Sequence, residues 1–205
     1  MVGLLMPDEG KILYDGRSFI ELNEKEKQDV RKDIGMLFQG GALFDSMTVE
    51  ENVAFPLLMF TKFSPTEISE RVNFCLNKVK LEGRNKLYPA ELSGGMKKRA
   101  ALARAISANP KYLFCDEPNS GLDPKTSLVI DDLILELTTD FNMTTVVITH
   151  DMNSVMQIGQ KVMFLHSGKK WWEGTNKQVL STDNKELLDF VYASEFLKQL
   201  KPKGN

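Results

Sequence analysis

A serine and two glycines stand directly ahead of a run of strong helix formers, and this junction constrains the fold more than any other stretch. It reads Glu91-Leu92-Ser93-Gly94-Gly95-Met96 and continues into Lys97-Lys98-Arg99-Ala100-Ala101-Leu102-Ala103-Arg104-Ala105-Ile106. Met96, Ala100, Leu102, Ala103 and Ile106 recur at helical spacing and predict one buried face. A helix starting here points free backbone N–H groups and the positive end of its dipole outward, with no Cβ from Gly94 or Gly95 in the way. That opening suits an anion, phosphate above all. An ordinary serine-capped helix behind a glycine turn has the same local sequence. Lys97, Lys98 and Arg99 read as the solvated face of the helix.

The chain has 205 residues, enough for one sizeable core or a core with a smaller lobe. Its 42% hydrophobic and 26% charged residues are those of an ordinary globular protein. A formal net charge of −2 argues against binding nucleic acid by phosphate neutralisation. No apolar run approaches the length of a membrane span, the longest, Val53 to Phe60, being broken by Pro56. No signal peptide is visible at the start. Cys75 and Cys115 stand alone in segments that read as buried, which predicts reduced core thiols, a cytosolic setting and no metal site of their own.

Alternating strand and helix signals predict an α/β fold with a mostly parallel sheet. Val2 to Gly10 reads as the end of a helix and a turn, followed by a strand from Lys11 to Tyr14 closed by Asp15-Gly16. Asn23 with Glu26, Thr48 with Glu51 and Ser64 with Glu67 are capping-box pairs that open helices. So are Thr175 with Gln178 and Asp183 with Glu186. Ile34 to Phe38 is a short apolar strand ending at Gln39. Ile68, Val72, Cys75, Leu76 and Val79 form one face of a helix after Ser64. Residues 46–108 therefore read as a helical lobe inserted in the α/β core. Tyr112 to Cys115 predicts a strand covered on both faces, ended by Asp116-Glu117-Pro118, with Asp123 capping the next helix. Thr144 to Thr149 is a β-branched strand ending at His150, and Asp151 caps a short helix after it. A hairpin turns at Ser167-Gly168. Residues 175–205 read as terminal helices and a basic tail, Lys198 to Asn205.

Leu92-Ser93-Gly94-Gly95-Met96 followed by Ala101-Leu102-Ala103-Arg104-Ala105 resembles the signature motif of ATP-binding-cassette (ABC) ATPases. Four further segments occur in that family's order and at the expected element ends. Gln39 resembles the Q-loop glutamine, Asp116-Glu117 the Walker B pair, Asp123 the D-loop aspartate and His150 the switch histidine. The resemblance spans Val2 to Glu173, and it implies one ABC ATPase domain over residues 1–205, on a P-loop NTPase core. It further implies ATP and Mg²⁺ as ligands. Asp116 would hold Mg²⁺ with Gln39 beside it, Glu117 would activate the attacking water, and His150 would meet the γ-phosphate. Ser93, Gly94, Gly95 and Asp123 would act on the nucleotide of a second ATPase subunit in a homodimer. His166 receives no role, and Asn119, where threonine is usual, reads as neutral.

No G-x-x-x-x-G-K-[ST] occurs in the sequence. In the family, a segment like Val2–Gly10 follows the P-loop and its helix, so the resemblance implies an N-terminally incomplete cassette lacking the P-loop strand and helix. Such a chain is expected not to bind ATP by itself, since the loop supplies the N–H nest and lysine for the β- and γ-phosphates. Phe38 to Leu57 and Ser93 to Ala105 are most similar to the ATPase of MCE-type phospholipid transporters. That implies lipid transport through permease subunits, with an MCE-domain lipid-binding protein as a further partner, at the cytoplasmic face of the inner membrane. The permease would dock on the lobe around Phe44 to Phe60. Two other readings stay open: a soluble ABC ATPase outside transport, and a non-catalytic ABC-like interaction module.

Overall fold

The computed structural model describes Gly3 and residues 5–193. The chain divides into two compact units, Met1–Ile148 and Thr149–Asn205.

The first unit opens with a two-residue hairpin, β1 (Leu13–Tyr14) and β2 (Arg17–Ser18), paired antiparallel. Asp15 and Gly16 make the turn at φ of 49° and 77°, the left-handed pair that matches strand twist. Tyr14 then stacks edge-on against Phe19 and Tyr112, and this small aromatic cluster also buries Val30 of α1 (Glu24–Lys32). Helix α1 begins with the reciprocal Asn23–Glu26 box that the spacing predicts. The helix end read at the start of the chain falls on residues only partly described.

Three parallel strands form the sheet in the order β3 (Ile34–Leu37), β4 (Tyr112–Asp116), β5 (Thr144–Ile148). Leu37 lies opposite Cys115, and Asp116 opposite Ile148. Between β3 and β4 the described chain is helical: α2 (Val49–Phe60), α3 (Pro65–Lys78) and α4 (Gly94–Ile106). Both Thr48–Glu51 and Ser64–Glu67 form their capping boxes, and α2 continues through Pro56. Helix α5 (Pro124–Asp140), capped by Asp123, connects β4 to β5.

The single buried face expected of α4 proves too narrow. Lys98, Ala100 to Ala103, Arg104, Ala105 and Ile106 are all buried, while Met96 is only partly covered. The reason is tertiary: α4 packs simultaneously on α2, α3, α5 and β3. β4, expected to be covered throughout, alternates between buried and half-buried residues. Among the described residues β5 pairs along one edge only, and its terminal Ile148 is 61% exposed.

The second unit holds α6 (Met152–Ile158), the hairpin β6 (Val162–His166) and β7 (Lys169–Gly174), then α7 (Asn176–Val179) and α8 (Lys185–Val191). The hairpin turns at Ser167-Gly168, as expected, with a bulge at Phe164/Leu165. Val179, Leu187 and Val191 make its core. Asn184, not Asp183, caps α8, because the Asn184 side-chain oxygen Oδ1 accepts from the third helical amide, Leu187 N. The basic tail Lys198 to Asn205 lies outside the described residues.

Two outcomes follow from this packing. A Cβ on Gly35 would stand 2.4 Å from the Ala105 carbonyl oxygen, a backbone atom with no rotamer to yield. Gly35→Ala is therefore expected to cost about 1–3 kcal/mol in urea unfolding, with an unchanged m-value. Burial pushes the Cys75 thiol up to about 11 and Cys115 up to about 12. Both should stay unreactive to a disulfide reagent at pH 8 and react at once in guanidinium.

Candidate functional site

The C-terminal edge of a parallel sheet is where α/β folds present their chemistry, because strand ends deliver side chains there and helices begin there. β3 and β4 run side by side in register, so Gln39 and Glu117, each two residues beyond a paired position, emerge at the same level. Asp116 is the last residue of β4 and half-buried, and Glu117 follows it into a turn.

That turn is unusual. Glu117 has φ of 46°, a left-handed conformation disfavoured for any residue with a Cβ. Three hydrogen bonds hold it there. Its N–H donates to the Ile148 carbonyl at 2.9 Å, and its own carbonyl accepts from Ser120 N at 3.2 Å and from Lys98 Nζ at 3.1 Å. The next residues are buried: Asn119 donates its amide to Asp131 at 2.9 Å, and Asp131 is 1% exposed. The Asn119 amide thus satisfies a carboxylate buried on α5.

Gln39 lies in a tight turn closed by Gly41 N–H donating to the Phe38 carbonyl. Its side-chain amide donates to Ser120 Oγ at 3.2 Å, so it reaches the turn beyond Glu117. Lys98 Nζ donates to the Gln39 carbonyl as well as to that of Glu117. Burial pushes the Lys98 ammonium below the usual lysine range, with Glu117, Cys115 and Asp116 acting against that shift. Arg104 holds the remainder of the loop by donating to the Gly41 and Ala42 carbonyls at 2.8 and 2.6 Å.

The second half of the site is the start of α4. Ser93 caps it, its hydroxyl accepting from Met96 N at 3.3 Å. Gly94 and Ser93 are exposed at this opening, where the first helical N–H groups have no partner within the helix. Gly95 serves a further purpose that its position in the sequence does not reveal. A Cβ there would stand 2.6 Å from the Thr126 methyl group, and one on Gly94 would touch Leu122 at 3.4 Å. The two glycines let the start of α4 sit against the start of α5, beside Asp123. Thr126 donates through its hydroxyl and its N–H to the Asp123 carboxylate and holds it below the usual carboxylate range.

His150 follows β5 as an exposed residue of the second unit. His166 lies at the end of β6 with its ring against Phe164 and Trp171. Lys98 corrects the expectation of a solvated Lys97–Arg99 face: it is 5% exposed. Arg99, too, is engaged, donating to the Val79 and Lys80 carbonyls. The signal was in the spacing, because Lys98 precedes Ala101 and Leu102 by three and four residues and shares their stripe.

A metal here would meet one or two carboxylates rather than a cage. Among the described residues no group of three or more His, Cys, Asp or Glu forms one. This donor set fits Mg²⁺, which binds through few carboxylates and completes its shell with waters and substrate phosphates. Beside the site, a groove of about 420 Å³ runs along the outer edge of β3, lined by Phe38, Ala42, Phe44, Phe55, Pro56 and Phe60 among others. Asn52 on α2, fully buried, braces its wall: its amide exchanges hydrogen bonds with Phe44 and donates to the Met47 and Thr48 carbonyls.

Residues 1–120 match the family model of the ABC transporter. The chain is 41% identical over 189 residues to the intermembrane phospholipid transport system ATP-binding protein MlaF of Haemophilus influenzae, covering 92% of this chain and 72% of that protein. It is 38% identical to the probable ribonucleotide transport ATP-binding protein mkl of Mycobacterium leprae, over 93% of this chain but 55% of that protein. Identity reaches 42% with the methionine import ATP-binding protein MetN of Protochlamydia amoebophila, over 86% and 52% of the two chains. The chain thus spans only about half the length of the latter two relatives. Among solved structures, the post-hydrolysis dimer of the ATP-binding cassette MJ0796 bound to ADP and Pi superposes with a TM-score of 0.76 at 33% identity, over 84% of this chain and 76% of that one. The cassette cbiO1 of Clostridium perfringens gives 0.82 at 29% identity over 98% and 79%. With its sheet edge, its signature helix and these likenesses in agreement, the chain belongs to the ABC transporter ATPase family.

Proposed function

We propose that this chain forms most of the ATP-hydrolysing subunit of an ABC transporter that moves a phospholipid through a membrane permease. The observation that carries this reading is the meeting of Gln39, Asp116 and Glu117 at one sheet edge, with a separate phosphate-suited helix start at Ser93–Gly95. In such an arrangement Glu117 would take a proton from water as it attacks the γ-phosphate, and Asp116 and Gln39 would hold Mg²⁺, whose charge would offset that of the phosphates. Ser93, Gly94, Gly95 and Asp123 face the nucleotide of a second copy, and His150 supports the γ-phosphate. The ADP- and Pi-bound dimer of the MJ0796 cassette supports the two-subunit reading. Likeness to the Haemophilus influenzae phospholipid ATPase supports the substrate. No helix among the described residues is long and apolar enough to cross a membrane. In this reading the permease is a separate chain, and this one docks on it at the cytoplasmic face.

The test needs the P-loop that this sequence does not contain. In a form carrying an N-terminal strand, G-x-x-x-x-G-K-[ST] and helix, Glu117→Gln should lower ATP turnover by about 10²–10⁴-fold. ATP binding should persist and closed dimers accumulate. Normal multiple turnover by that variant would remove Glu117 from the mechanism.

The groove along β3 is the docking place for the permease. Leu57, within the Phe44 to Phe60 stretch expected to dock the permease, is fully buried and would report folding only. Phe60 lines the groove and is 48% exposed. Phe60→Glu should cut phospholipid transport in reconstituted vesicles about tenfold or more, with basal ATP turnover within about twofold. Parallel losses would point to misfolding instead.

A further inference from the structure

Lys98 is a lysine buried to 5% exposure, and burial of an ammonium is tolerated only where its donors are satisfied. Its partners are two backbone carbonyls from distant parts of the chain, 59 and 19 residues away, Gln39 and Glu117. These carbonyls follow neighbouring parallel strands and belong to the two turns that carry the hydrolytic side chains. One of them is the left-handed Glu117, whose conformation requires outside support. Lys98 itself stands five residues after Ser93, about 7 Å along the helix axis at helical rise. A single ammonium therefore connects the phosphate-facing start of α4 to both turns of the same chain.

We propose that Lys98 is a positioning residue for hydrolysis: it clamps the Gln39 and Glu117 turns together, so that engagement of Ser93–Gly95 at the start of α4 reaches the chain's own Glu117. This role rests on the function proposed above, in which Glu117 activates water and the helix start meets the partner subunit's nucleotide. Lys98 touches no substrate. It acts by fixing the backbone from which Glu117 and Gln39 project, and a rigid tie is the simplest means by which one composite site informs the other. The ammonium suits the task because its three donors can serve both carbonyls at once without a neighbouring carboxylate being consumed.

Three amides report on the clamp in residues 1–205 without any nucleotide: Glu117, which donates to Ile148, Ser120, which donates to Glu117, and Gly41, which donates to Phe38. Hydrogen exchange followed by NMR should show these amides exchanging about tenfold faster or more in Lys98→Met, with Leu113 and Phe114 in β4 unchanged. Lys98→Arg, which restores a buried donor, should recover their protection. Should Lys98→Met yield too little folded protein, Lys98→Ala, which removes the donor and leaves room for water at the two carbonyls, makes the same comparison. In the P-loop-bearing form, Lys98→Met should lower kcat about tenfold with KM for ATP within about twofold, and Lys98→Arg should regain most of the loss. Unchanged exchange at the three amides would overturn the clamp, as would faster exchange spread evenly through β4. Faster exchange with an unaltered kcat would overturn the positioning role. Absence of ATP turnover in the unsubstituted P-loop-bearing form would count against the proposed function, and the exchange comparison would still decide the clamp.

Discussion

Two buried cations on one helix hold the loop between sheet and lobe in place. Lys98 and Arg104, 5% and 9% exposed, donate to carbonyls of Gln39, Gly41 and Ala42. That loop has no ladder partner to satisfy its backbone, and two of its residues are left-handed, Gly41 at 78° and Ala42 at 48°. Without donors from α4 its carbonyls would lie half-buried and unpaired, a cost of roughly 1–3 kcal/mol each. The cations benefit in turn, since carbonyl dipoles replace the water they lose. Asn52 completes the arrangement from α2 by bonding Phe44, Met47 and Thr48. The descent from strand to lobe is thus built from side chain to backbone bonds.

This construction ties the helices between β3 and β4 to the turns that carry Gln39 and Glu117. Helix α4 starts at Ser93, on the phosphate-suited surface, and ends against Arg71, which donates to the Ile106 and Ser107 carbonyls between the rings of Phe74 and Phe141. Along the way it supports β3 through Gly35, whose lack of a side chain admits the Ala105 carbonyl. Glycine has the same use at Gly95, where Thr126 of α5 fills the space a Cβ would take. The signature helix and the Asp123 turn therefore present one continuous surface. A substitution at Gly95 would disturb that surface before any ligand reached it.

Membership of the ABC family was legible from the order of Gln39, Ser93-Gly94-Gly95, Asp116-Glu117, Asp123 and His150, and the comparisons agree with it. The helix starts were equally legible. Asn23, Thr48, Ser64 and Asp123 each cap the helix that their spacing announced, because a cap is satisfied by amides two or three residues away. Asp183 failed by one position for the same reason: two adjacent residues can both cap, and only the backbone angles choose Asn184.

What lay beyond the sequence was every role fixed by residues far apart. The basic triplet Lys97-Lys98-Arg99 looked like a charged surface, and only the burial of α4 on several elements turned Lys98 inward toward carbonyls 59 and 19 residues distant. That Asn119 meets the buried Asp131 was likewise visible only in the fold. The left-handed Glu117 carries no composition signal, since neighbouring strands and a lysine enforce its backbone. By itself the sequence determined the elements, their caps and the family, all set by short-range hydrogen bonding and residue order. Tertiary structure alone decided which polar groups are buried and what satisfies them, because desolvation depends on the whole surroundings of an atom rather than on its neighbours along the chain.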